Sequence, residues 1–327
     1  MLCDMIMSEN NFINRGNKST KIGFGEGLLE AGIADSRIVA LGADITASVG
    51  VDLFASKFPG RFISLGIAEQ NCIGVAAGLA LSGKVPVFAT YGVFSALRTT
   101  DQIRISLCYN NLHVVIGGAH TGVSVGPDGA THQALEDIAV MRVLPNMTVL
   151  SPCDATQARL ATVAGIEQCK GPVYLRFGRE AMPDFTSAEA GFEIGKAQLF
   201  HEGSDLAIIA TGHMTWEALL AAVELEKDGI HARVLNIHTI KPLDETAVVL
   251  AARECGAIVT AEEHQVAGGL GSAVSEVLGR NYPVPIEFVG MPDRFGESGP
   301  PRDLMQKFGL TSENILKKCR EVLMRKH

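Results

Sequence analysis

Residues 69–90 read EQNCIGVAAGLALSGKVPVFAT. From Cys72 to Leu81 every residue is apolar or small, which marks a helix near Glu69–Ser82 buried on all its faces. Val85–Thr90, short and rich in β-branched and aromatic residues, reads as a buried strand. The same alternation extends in both directions. Arg37–Gly42, Leu112–Gly117, Met147–Ser151 and Pro172–Arg176 are strand patterns. Helical patterns lie near Phe94–Tyr109, Gln133–Arg142 and Ala155–Glu167. Repeated β-α alternation implies a parallel sheet covered on both faces.

The pattern pauses over the polar, Pro183-containing stretch 181–196 and then restarts. Leu206–Ala210, Ala232–Ile237, Ala257–Ala261 and Pro285–Val289 are strand patterns. Helices are expected near Trp216–Lys227, Leu243–Arg253, Gly271–Gly279, Arg302–Phe308 and Ser312–Arg325. The expected architecture is α/β with two doubly wound, mainly parallel-sheet domains, at 20–180 and 197–327. Residues 1–19 form a polar, Asn-rich N-terminal tail, and 181–196 form a linker.

With 327 residues and 47% hydrophobic content the chain can bury two cores. The net charge is -8 and no basic stripe occurs, which argues against a nucleic-acid ligand. No apolar run reaches membrane-spanning length. Seven scattered cysteines, an odd number without CxxC spacing, fit a reducing compartment, so a cytoplasmic setting is expected. Asp4 falls where the apolar core of a signal peptide would lie.

Most chemistry-bearing residues follow expected strand ends, where open α/β sheets bind ligands. Asp44 and Ser48 follow the strand at Arg37–Gly42. Tyr91 and Phe94 follow Val85–Thr90. His120 and the loop 122–132 follow Leu112–Gly117, Arg176 ends its strand, and Arg179 comes after it. Glu69 joins the same edge if Phe62–Leu65 is a strand. An acid, two aromatics, two histidines and one or two arginines then share a crevice. A carboxylate beside an apolar helix suffers desolvation unless it meets a specific partner. Glu69 is therefore read as a functional acid.

These residues resemble a known family. Leu41-Gly-Ala-Asp-Ile-Thr-Ala-Ser48, the GIAEQN of residues 66–71, the ATYGVF of 89–94 and above all Asp128-Gly-Ala-Thr-His-Gln133 are similar to the pyrimidine-binding half of a transketolase. The resemblance runs through Pro145-Asn146-Met147 and Ser151-Pro-Cys-Asp154. It continues into a C-terminal domain with Ile240-Lys-Pro-Leu243 and Glu262-Glu-His-Gln-Val-Ala-Gly-Gly-Leu-Gly271. It covers about residues 20–325. Family members hold the cofactor diphosphate and its metal with GDG and a later Asn, and no GDG occurs in this sequence. The chain thus resembles the C-terminal subunit of a split transketolase.

The resemblance implies thiamine diphosphate as cofactor. A divalent metal (Mg or Ca) would be held mainly by an N-terminal, diphosphate-binding partner subunit, in a heterotetramer. It implies transfer of a two-carbon ketol unit from a ketose phosphate to an aldose, as in pentose phosphate and related carbohydrate metabolism. Glu69 would hydrogen-bond the pyrimidine nitrogen N1′ and promote loss of the C2 proton. Tyr91 and Phe94 would pack on the pyrimidine, and Asp44 would sit on the thiazolium side. His132 would contact the donor sugar near its carbonyl, with His120 nearer its phosphate. Asp128 would bind a hydroxyl, and Ser48 and Arg179 would grip the phosphate. A further family arginine falls on or near Lys21, which leaves phosphate, or another anionic tail such as sulfonate, open. The alternatives are the β subunit of a 2-oxo acid dehydrogenase, whose His loop differs from DGATHQ, and a noncatalytic regulatory subunit. The relative 1-deoxyxylulose-5-phosphate synthase shares IAEQ but usually comes as one full-length chain.

Other strings carry less. Gly122-Val-Ser-Val-Gly126 spells GxSxG, but Pro127-Asp128-Gly129 follows where a nucleophile elbow needs a helix. Gly268–Gly271 is read as a domain-packing turn. Glu262 and Glu263, adjacent near a strand end, point to opposite sides. Glu136-Asp137 is read as a solvated helix face. His113, His201, His213, His231, His238, His264 and His327 are read as ordinary core or surface residues.

Overall fold

The computed structural model describes residues 13–326. Residues 1–12 of the expected tail, and His327, lie outside them. Fourteen strands in chain order are β1 Asn17–Lys18, β2 Ile38–Gly42, β3 Phe62–Ser64, β4 Val85–Tyr91, β5 Val115–Ala119, β6 Thr148–Leu150, β7 Val173–Arg176, β8 Met182–Pro183, β9 Gln198–His201, β10 Leu206–Ala210, β11 Ala232–Asn236, β12 Thr239–Lys241, β13 Ile258–Gln265 and β14 Ile286–Met291. A seven-stranded sheet has the order β12-β6-β7-β5-β4-β2-β3, and a five-stranded sheet the order β14-β13-β10-β11-β9. Pairing within each is parallel except at the β12 and β9 edges. Two mainly parallel α/β domains are therefore present. Strands β2, β5, β7 and β10 are buried throughout, as continuous apolar runs in doubly covered sheets require.

Three features of the chain's path depart from the sequence reading. Helix Thr20–Ala34 is not among the expected elements, because four glycines in TKIGFGEGLLEAGIA lower helix propensity. Two of those glycines, Gly23 and Gly27, let it lie against helix Ala155–Glu167: a Cβ on Gly23 would sit 2.0 Å from the Ala155 carbonyl oxygen. The residues just before it are not a free tail. β1 pairs with β8, and Arg15 N–H donates to the Asp184 carbonyl at 2.9 Å. Finally, β12 belongs by sequence to the second half but closes the first sheet, Thr239 opposite Leu150.

The helix Glu69–Leu81 is not buried all round within this chain. Cys72, Ile73, Ala76 and Ala77 face the core, while Asn71, Gly74, Gly78 and Leu81 are exposed. The small residues that read as burial on every face line an open one.

Asp137 is the other correction. It is fully buried rather than solvated. It accepts hydrogen bonds from Tyr174 Oη and Arg176 Nε, each at 2.9 Å. Arg176 also donates to the Glu263 carbonyl at 2.7 Å. Arg176 is thus spent on the contact between domains and does not enter the crevice. Glu262 and Glu263 do diverge. Glu262 accepts the N–H groups of Leu270 and Gly271, at the start of helix Leu270–Asn281, and Glu263 accepts that of Ser124. Burial raises the Glu262 carboxyl to about 7. Gly268 packs against the first domain, where a Cβ would lie 2.7 Å from Ala139 Cβ.

No helix among the described residues is long and apolar enough to cross a membrane.

Candidate functional site

The strand order of the larger sheet reverses at β2, with β3 on one side and β4 on the other. The loops after these strands meet at the carboxyl edge of the sheet, where open α/β sheets bind ligands. Glu69 stands there because β3 ends at Ser64, Gly66 turns the chain at φ 70°, and a helix begins at Glu69. Its side chain is 3% exposed. Arg98 Nη1 donates to Glu69 Oε2 at 2.8 Å. The Arg98 guanidinium lies 4.1 Å from the centre of the Phe94 ring and is 44% exposed. Gln70 steadies the same arginine by donating to its carbonyl at 3.1 Å. Most of the helical stretch expected over Phe94–Tyr109 is wound as π-helix, at Phe94–Arg98 and Ile103–Tyr109. Such wide turns recur at functional sites.

Tyr91, at the end of β4, is the hub of the crevice. Its hydroxyl shares a 2.9 Å hydrogen bond with Ser48 Oγ. Its ring stacks on His120 with centroids 4.3 Å apart and 17° between planes. Phe94 lies 5.9 Å away. His132 turns an edge to both rings, at 5.7 Å from Tyr91 and 5.4 Å from Phe94. Thr131 Oγ1 is 2.9 Å from His132 Nδ1.

His120 is buried at φ 53°, and neither ring nitrogen has a hydrogen-bond partner of good geometry within the chain. Burial first, then the positive charges of Arg179 and Lys21, push it down to about 4. At neutral pH it is an uncharged imidazole with free hydrogen-bonding capacity. Arg179 and Asp128 pair at 3.2 Å on the exposed rim. Asp44, at φ 61°, accepts from Ser64 Oγ at 2.6 Å.

The fold therefore links Glu69, Phe94, Tyr91, Ser48, His120 and His132 in one continuous set of contacts through Arg98. Asp128 and Arg179 form a separate pair close enough to act electrostatically on His120. Asp44 stands beside the Gly66 turn that leads to Glu69. Arg98 is absent from the residues singled out by sequence. Its signal was available, since residues four apart on a helix share a face and Phe94 lies four before it. The GxSxG string forms a 3₁₀ turn rather than a strand-to-helix corner. Among the described residues no group of three His, Cys, Asp or Glu side chains could hold a metal ion.

Two mainly parallel sheets, with an acid and aromatic side chains where strand order reverses, define an α/β protein of the ligand-binding, doubly wound class. Residues 17–184 match the family model "Transketolase, pyrimidine binding domain", and 195–315 match "Transketolase, C-terminal domain". The chain belongs to the transketolase family, whose members depend on thiamine diphosphate. It is 47% identical over 300 residues to the 6-deoxy-6-sulfo-D-fructose transketolase subunit SqwH of a Clostridium species, covering 92% of this chain and 93% of that one. It is 40% identical over 299 residues to one subunit of the apulose-4-phosphate transketolase of Phocaeicola vulgatus, with 91% and 95% covered. A solved structure described as a split gene transketolase, inactive beta4 tetramer, superposes with a TM-score of 0.89 at 46% identity, covering 94% of this chain and 99% of that one. These relatives do not favour the dehydrogenase or noncatalytic alternatives.

Proposed function

We propose that this chain is the pyrimidine-side subunit of a split enzyme that moves a two-carbon ketol unit from an anionic ketose to an aldose. The observation that carries the reading is Glu69. It is a buried carboxylate at the mouth of an aromatic crevice, held by one half-exposed arginine. A flat heteroaromatic ring fits this set. Phe94 and Tyr91 supply apolar walls, and Glu69 supplies a carboxyl oxygen where a ring nitrogen needs a partner.

Thiamine diphosphate, when bound, supplies the carbon nucleophile. Glu69 holds a proton at the pyrimidine N1′ in exchange for its contact with Arg98. Asp44 would lie toward the thiazolium side. His132 hydrogen-bonds the donor sugar near its carbonyl, and Asp128 a hydroxyl once released from Arg179. Ser48, Arg179 and the neutral His120, with Lys21 nearby, bind the anionic tail. An arginine fork suits phosphate or sulfonate oxygens. Sulfofructose and apulose phosphate in the names of the two relatives make either tail reasonable for this chain.

In this reading the diphosphate and its divalent metal fall to a GDG-bearing partner, a division supported by relatives that are themselves transketolase subunits. Exposed apolar side chains on the Glu69 helix and its neighbours support such a partner: Ile67 just before the acid, Leu97 beside Arg98, and Leu81, Ile105 and Tyr109 farther along. The assembly proposed is a heterotetramer with the cofactor between unlike subunits. In this reading 20–180 and 197–327 remain the working domain boundaries, with β12 crossing between them. Six free cysteines among the described residues favour a cytoplasmic setting.

The purified chain, given metal and thiamine diphosphate, is expected to show no turnover until a GDG-bearing subunit is added. Robust turnover by the chain alone would overturn the proposal. In the reconstituted pair, deuterium exchange at the cofactor C2 reports cofactor activation apart from sugar chemistry.

A further inference from the structure

We propose that Glu263, a residue of the second domain, is a positioning residue for the loop 120–133 that carries His120, Asp128 and His132. The role of that loop toward sugar rests on the ketol-transfer reading, but the contact does not. Glu263 lies in β13 and is buried. Its Oε1 accepts the Ser124 N–H at 2.7 Å, across 139 residues of sequence. Gly122 makes that reach possible. It sits at φ 79°, and a Cβ there would come within 2.0 Å of Oε1.

The rest of the anchorage is equally specific. Glu263 Oε2 faces His213 Nδ1 at 3.6 Å. Arg176 clamps the Glu263 carbonyl and reaches the Ala134 carbonyl at 3.3 Å. The loop closes on itself through Gly122 N–H to the Ala134 carbonyl at 2.9 Å. Gln133 donates to the carbonyls of Val123 and Glu297, at 3.2 and 2.9 Å. Among these ties, the one at Ser124 has a charged acceptor, the stronger kind of hydrogen bond. Burial works against charge on Glu263, but His213, Arg176 and Ser124 N–H outweigh it and hold the carboxyl below its usual range. His120 and His132 flank the tie on the crevice side. The second domain acts as a brace for the first domain's substrate face.

The test uses the reconstituted pair and three variants. Glu263→Met keeps length and volume but removes the acceptor, Glu263→Asp keeps charge but withdraws it, and Glu263→Gln keeps Oε1. Met and Asp are expected to raise the donor KM by about tenfold or more, and to speed amide hydrogen exchange within residues 120–133 by a similar factor, the size expected for losing a charge-assisted hydrogen bond. Exchange at the cofactor C2 should stay within about twofold, because Glu69 is untouched, and Gln should stay within about threefold of wild type in KM. Unchanged amide exchange in the Met and Asp variants would sink the proposal. So would equal KM changes in Met and Gln, or a parallel loss of C2 exchange. If wild type itself shows no C2 exchange, the ketol-transfer reading fails, while the amide exchange still decides whether Glu263 holds the loop.

Discussion

Glu69 and Asp137 are both cut off from solvent, yet their surroundings are opposite. Asp137 is enclosed by a buried tyrosine and a buried arginine, each of them committed to it. Glu69 has one charged partner, and that partner reaches into water. A buried ion pair sealed on all sides fixes geometry, and breaking it strands a charge. A buried acid with an exchangeable partner can trade that partner for a ligand. Burial alone does not separate a structural acid from a working one; the exposure of its partner does.

The largest effect should come from the sealed side. Asp137→Ala strands Arg176 and should cost about 3–5 kcal/mol of stability, read by thermal or urea denaturation. A loss below about 1 kcal/mol would mean the network is not sealed.

Next comes the neutral imidazole on the open side. His120 titrates at about 4 in the fold, below its unfolded value. The unfolded chain therefore binds more protons between pH 6.5 and 4. Stability due to His120 is complete above that window and is lost as pH falls through it, by up to about 3 kcal/mol relative to His120→Asn. The ratio of donor KM between His120→Asn and wild type should stay flat from pH 8 to 5. An inflection near neutrality would show that the ring is charged at work.

Glu69→Gln should slow C2 deuterium exchange in the assembled enzyme by about a hundredfold, within the range for losing a positioned proton-transfer group. Its melting temperature should barely move, because Arg98 can turn to water. The smallest effect on stability among the charged pairs belongs to Arg98→Ala, about 1–2 kcal/mol, because the half-exposed guanidinium leaves a path by which water reaches Glu69. If Arg98→Ala destabilised as much as Asp137→Ala, the contrast between the two acids would collapse.

The strands were the most legible part of the sequence. Leu206–Ala210 and Val85–Thr90 are continuous apolar runs whose burial on both faces leaves one reading. Glu69 could be singled out because it heads an apolar segment. Pairing was not legible. Asp137 looked solvated because its partners, Tyr174 and Arg176, lie nearly forty residues away. The Thr20–Ala34 helix was hidden because its glycines serve close packing rather than propensity. The open face of the Glu69 helix read as buried, since small residues look alike in a core and at an unpaired surface.

Strand β12 crosses from the second half of the chain to complete the first sheet. Domain shuffling cannot therefore be done with one cut near residue 190. A chimaera that replaced everything downstream would take Thr239–Lys241 away from Leu150 and leave β6 as a raw edge, open to pairing with any stray strand. In design or in evolution, the two halves exchange safely only if that three-residue patch stays matched to its host.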